Sequence, residues 1–260
     1  MAVGVRRFTP SRVGRRFGAF AVLTLRAIGQ IRRGEWTGPE AAAHFDQLAR
    51  THGLRETGHY DPRLLVAHDA SGPPAIDWAL ARPERVAGLV LLNTYYCEMP
   101  TLRPPRAIWL FSTPVVRSVA RPLSQMFGNW LLRRVYRWQV GGFIRDVDVR
   151  REFVPLLYQQ FAATPSARPA FFRLNEDLLP TVRSRTQKIP KLKEFRRPVR
   201  IIFGDADPSL NSGVARTFHE FLPGSELFLI PGARHFVQLD EPEQVARLIV
   251  AMPKEGSKQS

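Results

Sequence analysis

A single cysteine, Cys97, occurs in the 260 residues, so no disulfide can form within the chain and no cysteine-based metal site is available. A reducing compartment, the cytoplasm, is the simplest home for such a composition. Long apolar runs are equally scarce. The best, Phe17 to Leu25, is interrupted by Arg26, well short of the roughly 18 residues that a spanning helix needs. Acidic side chains are in deficit, with 23 Asp and Glu against 38 Lys and Arg and a formal net charge of +15. That excess is uneven: eight arginines against Glu35 alone fall in residues 1–36, and more cluster at Arg133, Arg134, Arg137 and from Arg183 to Arg197. No zinc spacing, recognition helix or aromatic RNA-binding motif accompanies it, which argues against a specific nucleic-acid partner and leaves weak attraction to anionic surfaces. The 44% hydrophobic content suits an ordinary globule, and the length suits one α/β domain with an insertion.

What is present is a set of apolar strands that end in chemistry. Leu64-Leu65-Val66-Ala67-His68-Asp69-Ala70-Ser71-Gly72 reads as a strand running into a cramped turn of small residues with a carboxylate at its apex. Pro74 to Arg82 then reads as a helix, and Val86 to Leu92 as a buried strand. Asp69 is thereby expected on a strand-turn-helix corner at the carboxyl edge of a parallel sheet. Val199-Arg200-Ile201-Ile202-Phe203-Gly204-Asp205-Ala206-Asp207-Pro208 is a strand ending in two carboxylates, and Leu227-Phe228-Leu229-Ile230-Pro231-Gly232-Ala233-Arg234-His235-Phe236 is one ending in a histidine. A single Asp at a strand end is commonly a turn former. Nucleophile, acid and histidine at strand ends, in that order, form a constellation for nucleophilic catalysis.

From about Ala41 to Met252 the chain resembles the α/β-hydrolase superfamily, and within it the branch of haloalkane dehalogenases and epoxide hydrolases, in which Asp replaces Ser as nucleophile. The resemblance is carried by Val66-Ala67-His68-Asp69, Ile76-Asp77-Trp78-Ala79, Arg82-Pro83-Glu84-Arg85-Val86, Leu89-Val90-Leu91-Leu92-Asn93-Thr94, Gly204-Asp205-Ala206-Asp207-Pro208 and Pro231-Gly232-Ala233-Arg234-His235-Phe236. It implies an α/β-hydrolase fold, a mostly parallel sheet flanked by helices with an inserted helical cap. It also implies a hydrolase of small apolar substrates that needs no cofactor or metal. Asp69 would be the nucleophile, Asp207 the acid and His235 the base, with the Ala70 backbone N–H as an oxyanion donor. Asp205 competes for the acid's place, but the family sets the acid third after the strand-ending glycine. Ser71 is a poor nucleophile candidate, because Asp69 and Pro73 flank it where small residues belong.

The chain departs from that pattern after the nucleophile and at the start of the domain. Dehalogenases of the branch carry Trp after the nucleophile, where Ala70 stands. Epoxide hydrolases need tyrosines in the cap, for which Tyr136 and Tyr158 are candidates, with Trp109 beside them as a substrate-lining side chain. The early strands and the H-G-x-P oxyanion loop of the family have no counterpart, so the N-terminal strands are expected to be missing. The alternative reading is therefore an impaired relative that keeps the fold as a binding module.

The expected organisation is a basic segment over residues 1–36 outside the family pattern, core over 37–97, a helical cap over 98–197, core again over 198–252 and a disordered tail over 253–260. The basic segment suits a surface-lying helix, a targeting peptide or a replaced start of the domain. Thr37-Gly38-Pro39-Glu40 has capping-box spacing for a helix that Gly53 ends.

Overall fold

Apolar, β-branched segments build the sheet of the computed structural model, which describes residues 64–105, 128–163 and 167–253, with 108 and 118 standing alone between the first two. The basic segment 1–36, the capping-box helix with Gly53, Trp109 and residues 254–260 lie outside the described residues.

Among the described residues four strands, β1 (Leu64–Asp69), β2 (Gly88–Thr94), β3 (Val199–Gly204) and β4 (Glu226–Ile230), lie side by side in chain order and all pair in parallel. Every residue of β2 and β3 is buried, as expected for parallel strands covered on both faces. Leu89, Leu91, Ile201 and Phe203 point into one cluster with Ile76, Ala79, Val214 and Phe218. Each such side chain contributes about 1.5–3 kcal/mol by leaving water. Val90, Leu92 and Ile202 are buried as well but stand outside that cluster, on the other face. Arg200 is the one charged residue within β3. Its guanidinium is satisfied by Glu226, by the carbonyl of Leu248 and by a position over the Phe228 ring.

The helices occupy the crossovers. Helix α1 (Gly72–Ala81) links β1 to β2 through a 3-10 turn, Pro83–Arg85, and it begins on prolines that have no N–H to lose in the first turn. Between β2 and β3 come α2 (Gly128–Gly141), α3 (Val147–Ala163), α4 (Ala167–Thr186) and α5 (Ile189–Glu194). Helix α6 (Ser212–Phe221) crosses from β3 to β4, with the Asn211 side chain accepting from the N–H groups of Gly213 and Val214 at its start. A short α7 (Val237–Asp240) and α8 (Pro242–Val250) follow β4.

One carboxylate gathers the two roots of the long insertion. Asp77 on α1 accepts from Tyr96 Oη at 2.9 Å, just after β2, and from Arg185 at 2.7 Å and Lys188 at 2.7 Å, where the chain returns to the core. Burial alone would raise the Asp77 pKa, but hydrogen bonds from Lys188, Arg185 and Tyr96 outweigh it and hold the carboxyl below its ordinary value.

Candidate active site

The carboxyl ends of β1, β2 and β3 and the loop after β4 converge on His235. Its Nδ1 lies 2.8 Å from Asp207 Oδ2. A carboxylate only accepts, so Nδ1 carries the proton and Nε2 is left with its lone pair. That Nε2 faces Asp69, 3.9 Å from Oδ2, which is beyond hydrogen-bond length but adjacent. Burial would lower the His235 pKa, yet the bond to Asp207 and the charges of Asp69 and Asp207 outweigh it, and the imidazole sits above its ordinary value.

Asp207 is 1% exposed and fully used. Oδ1 accepts from the N–H groups of Ser209 and Leu210 at 2.8 and 3.0 Å, and Oδ2 accepts from Asn93 Nδ2 at 3.1 Å as well as from His235. Burial pushes this carboxyl upward, but the His235 contact and the two backbone donors prevail and hold it below its usual range. Asp205 instead accepts from the Gly232 N–H at 2.7 Å on the exposed side of the turn. Of the two carboxylates read from the sequence, Asp207 is the one bonded to the histidine.

Asp69 stands at the tip of β1 with φ of +49°, a left-handed conformation that costs a non-glycine residue about 1–3 kcal/mol. Its surroundings impose it. The β1–β2 register slips between His68 and Asp69, and Thr94 Oγ1 donates to the Asp69 carbonyl at 2.5 Å. A Cβ on Gly72 would lie 1.8 Å from that same Thr94 oxygen, so only glycine lets α1 start so close to the end of β2. The Asp69 side chain stays 47% exposed, which leaves it open to a ligand. Ala70 follows directly, at the half-buried turn into α1. Ser71 is occupied otherwise: its Oγ donates to the His68 carbonyl at 2.7 Å and accepts from the His68 N–H at 2.8 Å.

A profile of the alpha/beta hydrolase family (Abhydrolase_6) matches residues 5–248. The chain belongs to the alpha/beta hydrolase family. Among curated proteins it is similar to the 1-acylglycerol-3-phosphate O-acyltransferase ABHD5 of Rattus norvegicus, 26% identical over 198 residues that cover 71% of this chain and 55% of that protein. The chain thus spans about half the length of the curated relatives it matches. Among solved structures it is similar to the 2-hydroxy-6-oxo-6-phenylhexa-2,4-dienoate hydrolase of Rhodococcus sp. strain RHA1, with TM-score 0.59, 17% identity and coverage of 81% of this chain and 68% of that one. The haloalkane dehalogenase DatA of Agrobacterium tumefaciens C58 is comparable, with TM-score 0.56, 19% identity and coverage of 72% and 65%. At such identities these structures speak for the alpha/beta hydrolase fold.

Within this alpha/beta hydrolase, several residues that support the site were not singled out from the sequence. Asn93, fully buried at the end of β2 with φ of +23°, accepts from the Gly204 N–H at 2.8 Å and directs its Nδ2 to Asp207, to the Gly204 carbonyl and to the Leu210 carbonyl. Because a backbone N–H can only donate, the amide oxygen must face Gly204, and the nitrogen therefore faces the carboxylate. Asp240 bridges the Arg234 N–H at 2.7 Å and the Arg145 N–H at 2.8 Å. The loop after α2 is thereby stapled to the histidine loop, where Phe143 lies with its ring centroid 4.9 Å from that of His235.

Tyr136 and Tyr158 meet each other edge to face at 5.4 Å, between α2 and α3, and Tyr136 also stacks on Phe161 at 5.6 Å. Burial pushes the Tyr136 phenol up to about 12, so it keeps its proton at neutral pH. Among the described residues no group of three or more His, Cys, Asp or Glu side chains could hold a metal ion, and no helix is long and apolar enough to cross a membrane.

Proposed function

We propose that the chain is a hydrolase in which the Asp69 carboxylate attacks an electrophilic carbon of a small apolar substrate, displacing a halide or opening an epoxide. An alkyl ester forms on Asp69, and the electron pair of the broken bond leaves with the halide or stays on the epoxide oxygen, which then takes a proton. His235 removes a proton from water through Nε2, and the resulting hydroxide adds to the carboxyl carbon of Asp69. The ester C–O bond to the substrate breaks, releasing the alcohol and restoring the carboxylate. The cation formed on His235 is balanced by Asp207, and the Ala70 N–H donates to the oxyanion.

The observation that carries this reading is the line Asp207, His235, Asp69, with separations of 2.8 and 3.9 Å and the unprotonated Nε2 toward Asp69. In this reading the helices between β2 and β3 form the cap, and β1 to β4 with the helices that flank them form the core. Ala70 has no indole N–H to hold a departing halide, and Tyr136, packed against Tyr158, is the phenol that the epoxide hydrolase form of this reading calls on. Acyl transfer, the reaction in the name of the curated relative, fits less well: an acyl group on Asp69 would be a mixed anhydride, which water destroys readily, whereas an alkyl ester survives long enough for an ordered second step.

The test is intact-mass analysis of His235→Asn after incubation with a panel of bromoalkanes and terminal epoxides. Stoichiometric addition of the alkyl group to Asp69 is expected, because only the hydrolytic half is blocked. No addition across the panel would overturn the reading in favour of a non-catalytic relative.

A further inference from the structure

The His68 ring reaches from the strand that carries Asp69 to the loop that carries His235. Its Nε2 lies 2.9 Å from the His235 carbonyl oxygen, and the two ring centroids are 4.7 Å apart. A carbonyl only accepts, so Nε2 of His68 must hold a proton. Its own peptide is fixed in turn by Ser71, whose Oγ bonds to both the N–H and the carbonyl of His68. The histidine loop is therefore held at three consecutive residues: Arg234 N–H by Asp240, His235 carbonyl by His68, and Phe236 N–H by the Phe143 carbonyl. Two of these holds come from elements remote from the nucleophile. Of the three, the His68 bond is the one that joins the loop to β1 itself.

We propose that His68 is a positioning residue that sets the registry between Asp69 and His235, by donating from Nε2 to the His235 carbonyl. It touches no reacting atom. The groups facing its ring are His235, Asp69, Asp207 and the Phe236 ring at 5.3 Å. Burial and the neighbouring His235 push its pKa down to about 4. The ring therefore stays neutral through the range in which His235 must act, and it places no positive charge against that imidazole. The same bond occupies Nε2, so any lone pair on this ring belongs to Nδ1 and not to the nitrogen that faces the His235 loop.

This rests on the aspartate-nucleophile reading above, and the experiment separates the two. His68→Gln keeps an N–H donor at the reach of Nε2, whereas the amide of His68→Asn stops short of it. Displacement of a catalytic group by about 1 Å costs up to about a hundredfold. The expected result for His68→Asn is therefore hydrolysis of the alkyl-enzyme slowed about tenfold to a hundredfold, with alkylation of Asp69 unchanged, so that the adduct accumulates by intact mass. His68→Gln restores the wild-type ratio. In parallel, imidazole titration by long-range proton–nitrogen NMR on the full chain should show wild-type His68 neutral and protonated on Nε2 between pH 5 and 8. In His68→Asn, His235 should titrate lower, toward the ordinary value of about 6.5.

An equal loss in His68→Gln and His68→Asn would overturn the proposal by showing that only ring volume matters. So would a proton on Nδ1 of wild-type His68, which can be read even if His68→Asn fails to fold. Absence of any adduct in every variant, His235→Asn included, would sink the nucleophile reading instead, and the NMR titrations would then decide the role of His68 alone.

Discussion

Replacing Asn93 by Asp exchanges one amide nitrogen for an oxygen and leaves shape almost untouched, which isolates the electrostatics around Asp207. In the wild type Asn93 Nδ2 stands 3.1 Å from Asp207 Oδ2, and Asp207 also binds His235. In the variant two carboxylates would share that space. Two unit charges at that distance repel by about 1 kcal/mol in bulk water and about 5 kcal/mol at the effective dielectric of a protein site. The contacts donated to the carbonyls of Gly204 and Leu210 are lost as well, at about 1–3 kcal/mol for each buried acceptor left unpaired. A loss of about 3–11 kcal/mol at pH 8 follows from these terms. The new carboxyl, raised in the folded state, contributes stability that is present below its unfolded pKa of about 3.9 and is lost as pH rises through the higher folded value. Urea unfolding midpoints of Asn93→Asp and wild type, compared at pH 5 and pH 8, should therefore show a gap that widens with pH. A gap of the same size at both values would refute the reasoning, since it would mean that the amide contributes shape and no field.

Gly204→Ala should lose about 1–3 kcal/mol or more, because the added Cβ would meet the Ala233 and Arg234 carbonyls at 2.4 Å, both of them backbone atoms that can yield only by moving the histidine loop. Thermal midpoint and adduct hydrolysis should fall together. Asp207→Asn should flatten the acid side of the stability profile. The folded carboxyl titrates below its unfolded value, so its stabilisation is complete above about pH 4 and is lost as pH falls through the lower folded value. The gap between variant and wild type should accordingly be widest near neutrality and close under acid, as chemical unfolding at pH 7 and pH 3 would show.

The ends of β1, β3 and β4 were legible because each is an apolar run broken at once by His-Asp, Gly-Asp or Pro-Gly, a local pattern that needs no knowledge of the fold. The end of β2 was not. Periodicity places that strand over 86–92, two residues early, since Asn93 and Thr94 look like the polar beginning of a loop. In the structure they are the last strand residues, held there by the Asp207 loop and by the Asp69 carbonyl. Asn93, Asp240 and His68 share one reason for having been missed: their partners lie more than 90 residues away for Asn93, His68 and the Arg145 contact of Asp240. Nothing in the local sequence distinguishes an asparagine that satisfies a buried carboxylate from one that ends a strand. Family spacing names Asp207 over Asp205 as the acid; in three dimensions Asp205 turns outward to Gly232 while Asp207 bonds to His235.

The most direct test of the central claim is a single turnover in water enriched in oxygen-18, with enzyme in excess over an epoxide or bromoalkane. If Asp69 forms an ester that water cleaves at the carboxyl carbon, the first alcohol released carries an unlabelled oxygen in the newly formed bond, and the label appears in the peptide containing Asp69. Label in the product and none in that peptide would mean that water attacks the substrate directly, with Asp69 a base and no nucleophile at all.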